Sequence, residues 1–270
     1  MIVFDKQNGR LVQFQKKATP DFWDAQWSSF DLKKAVQSSG GNRLVNAITR
    51  KYLPAGSRVL EGGCGIGTTV HGLDRLGYDV YGVDTAKQTV DEIREHFPRL
   101  NVSVQDVRNL TFLNDSFDGC WSIGVIEHFW DGYEDILKEA NRILRPGGYL
   151  FLIFPFMSPL RKLKASFGLY EGYNNSMMTG SFYQFMLDPK RVKTELKSLG
   201  FTICSEKNLD GTKGLKDEVS CIKPILQPIY NSKKLFGKAI NYGVSTLCSP
   251  LSGHSVLFVC QKIRSLDKQL

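Results

Sequence analysis

The chain has 270 residues, 42% of them hydrophobic and 23% charged, a balance that excludes intrinsic disorder and suits one large domain, or a domain with an added cap. The first residues, MIVFDKQNGR, lack the basic-then-apolar run of a secretory leader, and the longest apolar stretch, Tyr149 to Met157, is about half the ~20 residues that cross a bilayer. A soluble, cytoplasmic protein is expected. The six cysteines, at 64, 120, 204, 221, 248 and 260, form no C-x-x-C pair, so neither a disulfide framework nor a metal site is expected. The net charge of +8 is uneven: residues 1–159 carry 18 Lys+Arg against 19 Asp+Glu, whereas residues 160–270 carry 17 against 8. Such asymmetry suits an anionic partner, or simply a solvated face.

Taken in order, the predicted elements begin with a helix over Asn42 to Tyr52, then a strand over Arg58 to Glu61 closed by a glycine cluster. A helix follows over Thr68 to Leu76, a strand over Asp79 to Asp84, a helix stopped by Pro98, and a strand through Val102 and Val104 to Asp106. Phe117 to Ile123 reads as a strand, Tyr133 to Leu144 as a helix stopped by Arg145-Pro146-Gly147-Gly148, and Tyr149 to Phe154 as a very apolar strand. An irregular stretch from Pro155 to Leu187 precedes a helix over Pro189 to Leu199, a strand over Phe201 to Ser205 and a final strand over Ser255 to Lys262. Strands alternating with helices at this spacing predict a mostly parallel sheet covered on both faces.

The turn Glu61-Gly62-Gly63-Cys64-Gly65-Ile66-Gly67 lies where a strand ends and a helix begins, the edge at which open α/β sheets bind ligands. Glycines there let the backbone pass close beneath a bulky ligand. Neither register gives the dinucleotide G-x-G-x-x-G/A, since the sixth position is Val70 or Thr68, and no Gly-Lys-Ser/Thr completes a phosphate loop. Asp84, 21 residues after Gly63, ends the second strand, where a carboxylate can accept from both hydroxyls of a ribose. Asp106 ends the third strand, where it can accept from an adenine amine. Each aspartate alone is also an ordinary helix cap or strand-end residue; acidic residues at three successive strand ends are the informative pattern.

These residues resemble the class I S-adenosylmethionine-dependent methyltransferase family over about residues 42–205 plus the final strand. VLEGGCGIG at 59–67 resembles its first motif, SFDGCWSIGVIEHF at 116–129 its fourth-strand segment, and LKEANRILRPGGYLFLIFPF at 137–156 the helix, turn and fifth strand that follow. The resemblance implies a Rossmann-like three-layer α/β sandwich whose seven-stranded, mostly parallel sheet has its last strand antiparallel. It implies S-adenosylmethionine as cofactor, with Glu61, Gly63, Cys64 and Gly65 at the methionine moiety, Asp84 at the ribose, Asp106 and Val107 at the adenine, and Thr85 and Ile123 as further cofactor contacts. Residues 1–41 become an N-terminal lid. Residues 42–270 become the methyltransferase domain, with an acceptor-side insertion at about 157–187 and a basic C-terminal insertion at about 211–250.

A sulfonium methyl is already activated, so in-line positioning and exclusion of water suffice unless the acceptor must lose a proton. His128, just after the fourth strand, is the candidate general base, or else a histidine packed beneath the cofactor; His71, His96 and His254 have weaker claims. Trp23 and Trp27 in the lid either touch the acceptor or staple the lid to the core. The long insertion, with Tyr170, Tyr173, Phe182, Tyr183 and Phe185, is expected to roof the acceptor pocket, making Trp27 and Tyr183 the candidate substrate contacts. Phe182-Tyr183-Gln184-Phe185 resembles a segment of some methyltransferases near glycan or envelope biosynthesis. The expected reaction is methyl transfer to a small-molecule, glycan- or lipid-linked acceptor, open to an anionic one. The alternatives are a catalytically inactive cofactor-binding interaction protein and, on the same pocket, aminopropyl transfer, for which no acidic recognition cluster is seen.

Pro224 and Pro228 are expected to break the chain before a helix over Ser232 to Leu247, whose apolar face carries Phe236, Ala239, Ile240, Gly243 and Leu247 and whose start carries Lys233, Lys234 and Lys238. Packing of that face on the domain is the favoured reading, peripheral contact with anionic lipid the second. Nucleic acid is a poor fit, because no recognised motif accompanies the lysines.

Overall fold

The structure, a computed structural model, describes residues 1–38, 40–174 and 181–263. Its elements in chain order are β1 (Ile2–Asp5), β2 (Arg10–Phe14), α1 (Pro20–Trp27), α2 (Leu32–Ser38), α3 (Arg43–Tyr52), β3 (Arg58–Gly62), α4 (Thr68–Asp74), β4 (Asp79–Asp84), α5 (Lys87–His96) and β5 (Asn101–Val104). These are followed by β6 (Phe117–Ile123), α6 (Glu134–Ile143), β7 (Leu144–Pro155), α7 (Pro159–Ser166), β8 (Glu171–Gly172), β9 (Phe182–Met186) and α8 (Pro189–Ser198). The chain continues through β10 (Phe201–Leu209), α9 (Gly211–Glu218), α10 (Lys223–Tyr230) and α11 (Leu235–Ser252) to β11 (Ser255–Lys262).

The main sheet has seven strands in the order β10-β11-β7-β6-β3-β4-β5. β3 pairs parallel with β4 and β6, β4 with β5, and β6 with β7, whereas β11 runs antiparallel to both neighbours. The strand order reverses beside β3, the switch point where a crevice opens at the carboxyl ends. Strands buried on both faces need continuous apolar runs, and β7 and β11 supply them: Phe151, Leu152, Phe154, Val256, Phe258 and Val259 are fully buried. Trp121 of β6 stacks on Phe151 at 4.5 Å, and its indole N–H donates to Thr49 Oγ1 of α3 at 3.0 Å. A buried Trp is thereby satisfied at both its apolar and its polar end.

Several expectations needed revision. The turn Arg145–Gly148 does not precede a separate strand. It loops out within β7, between the pairs Phe117↔Leu144 and Gly119↔Tyr149, and Gly147 takes a left-handed φ of 83° there. β10 runs on to Leu209, four residues beyond the expected Ser205, because β11 offers it a partner along that length. Pro228 does not break the chain but sits inside α10, and Pro224 occupies the first turn of that helix, where a missing N–H leaves no bond unmade. The last helix starts at Leu235 rather than Ser232 and continues to Ser252.

The larger surprise is a second sheet of four strands, β8-β1-β2-β9. Residues 2–14 form a hairpin whose turn carries Asn8-Gly9, with Gly9 at φ 61°. β2 pairs with β9 and β1 with β8, so the N-terminal segment and the insertion after β7 build one unit. Residues 175–180 of that insertion lie outside the described residues. Val3, Val12, Phe14, Phe182 and Phe185 of the small sheet enter the same core as Phe154 and Val192 of the main domain.

Candidate functional site

Strand register assembles the site. Gly62 lies level with Val83 on one side and Ser122 on the other, and Asp84 is level with Val104, so the turns after β3, β4, β5 and β6 emerge at one edge. The glycine turn is folded back by Gly63 N and Cys64 N, which both donate to Val83 O, at 2.8 and 3.0 Å. Gly63, Gly65 and Gly67 all have positive φ, 74°, 49° and 76°. Side chains are excluded as well: a β-carbon on Gly63 would meet Val125 Cγ2 at 2.5 Å, and one on Gly65 would meet Trp27 Cζ2 at 3.0 Å. The last contact brings α1 directly over the turn.

Glu61 is buried beneath this turn, and burial pushes its carboxyl up to about 8, with Thr69 partly opposing and Asp84 adding to the rise. Its Oε2 has no partner among the described residues. Asp84 is also buried; Oδ2 accepts from Gly65 N at 2.8 Å and Oδ1 from Ala86 N at 2.9 Å. One carboxylate thus pins both the glycine turn and the entry to α5, and each oxygen keeps acceptor capacity for a further donor. Thr85 is half-buried beside it. Cys64 contributes backbone, since its side chain packs against Gly82 of β4, where a β-carbon would come within 3.0 Å of Sγ.

Asp106 lies two residues past the end of β5 rather than on it. Its carboxylate is held by Arg108, which donates Nη2 to Oδ2 at 2.6 Å, Nε to Oδ1 at 3.0 Å and its backbone N–H to Oδ1 at 2.9 Å. The guanidinium holds the Asp106 pKa down and itself lies over the Phe129 ring at 4.9 Å. Val107 leans on Gly62, where a β-carbon would lie 3.1 Å from its Cγ1. Ile123, half-buried, ends β6.

His128 sits in a single helical turn after β6, between the two sheets. Its Nδ1 lies 2.7 Å from Tyr183 O. A carbonyl only accepts, so Nδ1 carries the proton and Nε2 is left as the bare acceptor. Burial lowers its pKa to about 4 against the opposing pull of that carbonyl, so the ring is neutral at physiological pH. Trp23 meets the imidazole edge-on at 5.0 Å and stacks on Trp27 at 5.9 Å, while the Tyr183 ring lies 5.0 Å from it on another side. An aromatic chain of Trp27, Trp23, His128 and Tyr183 therefore links the glycine turn to the small sheet.

Two residues without a predicted role belong to this arrangement. Asp24 of α1 is buried and caps α5, accepting from Thr89 N at 2.9 Å, Thr89 Oγ1 at 2.8 Å and Gln88 N at 3.3 Å; it fixes α1, and with it Trp27, over the glycine turn. Glu127 is buried, with its carboxyl pushed up to about 8 and its Oε2 unpartnered among the described residues. Its position next to His128 was visible in sequence, but its burial was not.

The remaining histidines stand apart. Arg161 Nη2 and Lys213 Nζ each lie 3.0 Å from Nδ1 of His254, and burial with these cations drives its pKa down to about 2. It serves as an acceptor in a buried network in which Arg161 also pairs with Glu218 at 2.8 Å. His71 lies on α4 against Phe97, and His96 is exposed at the end of α5. No group of three or more His, Cys, Asp or Glu residues able to hold a metal occurs among the described residues.

Comparison with known proteins agrees with this architecture. The family described as methyltransferase domain matches residues 60–152. A ubiquinone biosynthesis O-methyltransferase of Xanthomonas oryzae pv. oryzae is 36% identical over 148 residues, covering 53% of this chain and 59% of that protein. A probable S-adenosylmethionine-dependent methyltransferase of Mycolicibacterium smegmatis is 34% identical over 101 residues, 37% of this chain and 39% of that protein. The chain thus spans about half the length of the curated relatives it matches. Among solved structures, the cyclase SpnF superposes with a TM-score of 0.56 at 16% identity, over 93% of this chain and 98% of that one, a likeness of fold. Over residues 60–152 the chain thus carries a match to a methyltransferase domain, and its strand order and glycine turn are similar to those of class I S-adenosylmethionine-dependent methyltransferases.

Proposed function

We propose that the protein transfers a methyl group from S-adenosylmethionine to a small-molecule, glycan- or lipid-linked acceptor. The observation that carries this reading is the pair of buried carboxyls at adjacent strand ends: Glu61 with one unpartnered oxygen, and Asp84 holding the glycine turn open with acceptor capacity to spare. Both fit the cofactor. Glu61 Oε2 would take the methionine ammonium, Asp84 the ribose hydroxyls, with Thr85 beside them, and the amides of Gly63 to Gly65 the carboxylate end. Val107 and Ile123 would flank the adenine, and Asp106 would reach its amine only by sharing oxygens that already serve Arg108.

The cofactor, when bound, supplies an activated methyl on a sulfonium. The chain's own part is placement and dryness: α1, pinned through Asp24, sets Trp23 and Trp27 over the site, and Tyr183 closes it from the small sheet. His128 Nε2 is available to take a proton from an acceptor hydroxyl or amine, and its neutral state at pH 7 makes that possible. Trp27 and Tyr183 are the proposed acceptor contacts. SpnF has this fold and is described as a cyclase, so a cofactor-binding protein that does not transfer methyl is the competing reading. Titration calorimetry with S-adenosylhomocysteine and with NAD tests the pocket: binding of the first alone is expected, and binding of NAD alone refutes the assignment. Methyl-labelled cofactor incubated with fractionated extract then separates transfer from mere binding.

A further inference from the structure

The sequence leads one to expect the apolar face of the last long helix to pack on the domain, and the structure turns that helix the other way round. The side of α11 that meets the protein is small and polar. Ser249 and Ser252 are its buried residues, and Ser249 Oγ accepts from Gly211 N at 3.1 Å while Ser252 Oγ donates to Gly211 O at 3.0 Å. Contact with α9 is so close that a β-carbon on Gly211 or Gly214 would collide with α11 backbone, at 2.4 and 1.6 Å. The opposite side carries Phe236, Ile240, Leu247 and Leu251 at spacings of four, seven and four, one stripe of a helix. Leu235, Phe236 and Leu247 are 86%, 78% and 83% exposed.

This is not a scatter of single exposed residues. Of the seventeen large hydrophobic side chains exposed among the described residues, eleven lie on α11, on α10 and α7 packed against it, and just after α7. Contiguous exposed apolar surface marks an interaction face. The charge around it identifies the partner. No Asp or Glu occurs between Glu218 and Asp267, whereas Lys223, Lys233, Lys234 and Lys238 all fall in that interval. A second copy of the chain would bring lysines against lysines, while an anionic lipid surface complements both the apolar stripe and its cationic margin. No helix among the described residues is long and apolar enough to cross a membrane, so the mode is interfacial.

We infer that the outward face of α11, flanked by α10 and α7, is a membrane-surface binding site that seats its apolar stripe among the headgroups of an anionic bilayer, with these lysines on lipid phosphates. Its place in the fold gives this a purpose. α7 starts four residues after β7 ends at Pro155, and α11 leads into Ser255, which pairs with Pro155, so both helices rise from the sheet edge that bears the glycine turn. Resting on the methyl-transfer reading, this orientation turns the acceptor side toward the bilayer and favours an acceptor drawn from it.

The test is co-sedimentation of the full chain with vesicles of phosphatidylglycerol and phosphatidylcholine, against phosphatidylcholine alone, at low and high salt. Wild type should sediment with the anionic vesicles at low salt only. Each lysine near such a surface is worth about fivefold in affinity, so K233Q/K234Q/K238Q should bind on the order of a hundredfold more weakly. F236S/L247S, at exposed positions, should also release the protein with its melting temperature unchanged. Wild type remaining in the supernatant at low salt, or the triple variant binding as well as wild type, overturns the inference. So does a dimer in gel filtration that F236S/L247S dissolves without any vesicle binding, since the face would then belong to a second copy. Both variants should keep S-adenosylhomocysteine affinity; if wild type lacks that affinity yet still sediments, the cofactor reading fails and the membrane face stands.

Discussion

Cofactor binding should expel a proton from Glu61. Burial puts this carboxyl at about 8, so at pH 7 it is about nine-tenths protonated in the free protein. An ammonium placed on Oε2 favours the carboxylate and pulls the pKa back below neutrality, so binding at pH 7 should release about 0.9 of a proton from this site. Affinity should accordingly climb by up to about tenfold between pH 6 and 7, where the ligand's own amine stays protonated. Titration with S-adenosylhomocysteine in buffers of different ionisation enthalpy measures the released proton directly, as the slope of apparent binding enthalpy. Glu61→Gln should abolish the slope and flatten the pH dependence while weakening binding. A wild-type enthalpy independent of buffer, or an unchanged slope in Glu61→Gln, would refute the placement of the ammonium.

Asp84→Ala should weaken cofactor binding roughly tenfold or more, because charged-acceptor hydrogen bonds contribute ~1.5–3 kcal/mol each; it should also lower stability, since the Gly65 and Ala86 amides lose their acceptor, and an unchanged dissociation constant would misplace the ribose. His128→Ala should reduce turnover by about 10²–10⁴ if an acceptor proton is taken there, and the acid limb of wild-type kcat/KM should fall near pH 4 rather than near 6.5; a limb near 6.5 that survives the substitution would exclude this base. The same histidine is depressed in the folded state, so the unfolded chain binds its proton first. Its contribution to stability is thus full above about pH 6.5 and lost as pH falls toward 4, and thermal melts of His128→Gln should be flatter than wild type across that window. Asp24→Ala removes three acceptor contacts to α5 and should free the lid, seen as faster amide exchange over residues 20–27 with the rest of the fold protected; unchanged exchange would show that Trp23 and Trp27 hold the lid alone.

Sequence determined what depends on local period and on backbone conformation. The strands Asp79–Asp84, Phe117–Ile123 and Ser255–Lys262 were legible to the residue because apolar runs bounded by turn residues leave little choice of register or length. The glycine turn was legible because positive φ at Gly63, Gly65 and Gly67 is a requirement that few other residues meet. The Asn8-Gly9 turn of the first hairpin has the same local origin, with Gly9 at positive φ. Tertiary structure alone decided the rest, because those features depend on contacts between residues far apart in the chain. The N-terminal hairpin and the insertion after β7 become one sheet only through pairing of residues 11–14 with 182–186. Burial between the two sheets keeps His128 neutral, and its Nε2 is left free only because Tyr183 O, 55 residues away in the chain, accepts the Nδ1 proton. Most plainly, the periodicity of α11 showed that it has an apolar face but not which way that face points. Gly211 and Gly214 of α9 decided this, since their lack of side chains lets the serine face approach to backbone contact and leaves Phe236 and Leu247 turned outward.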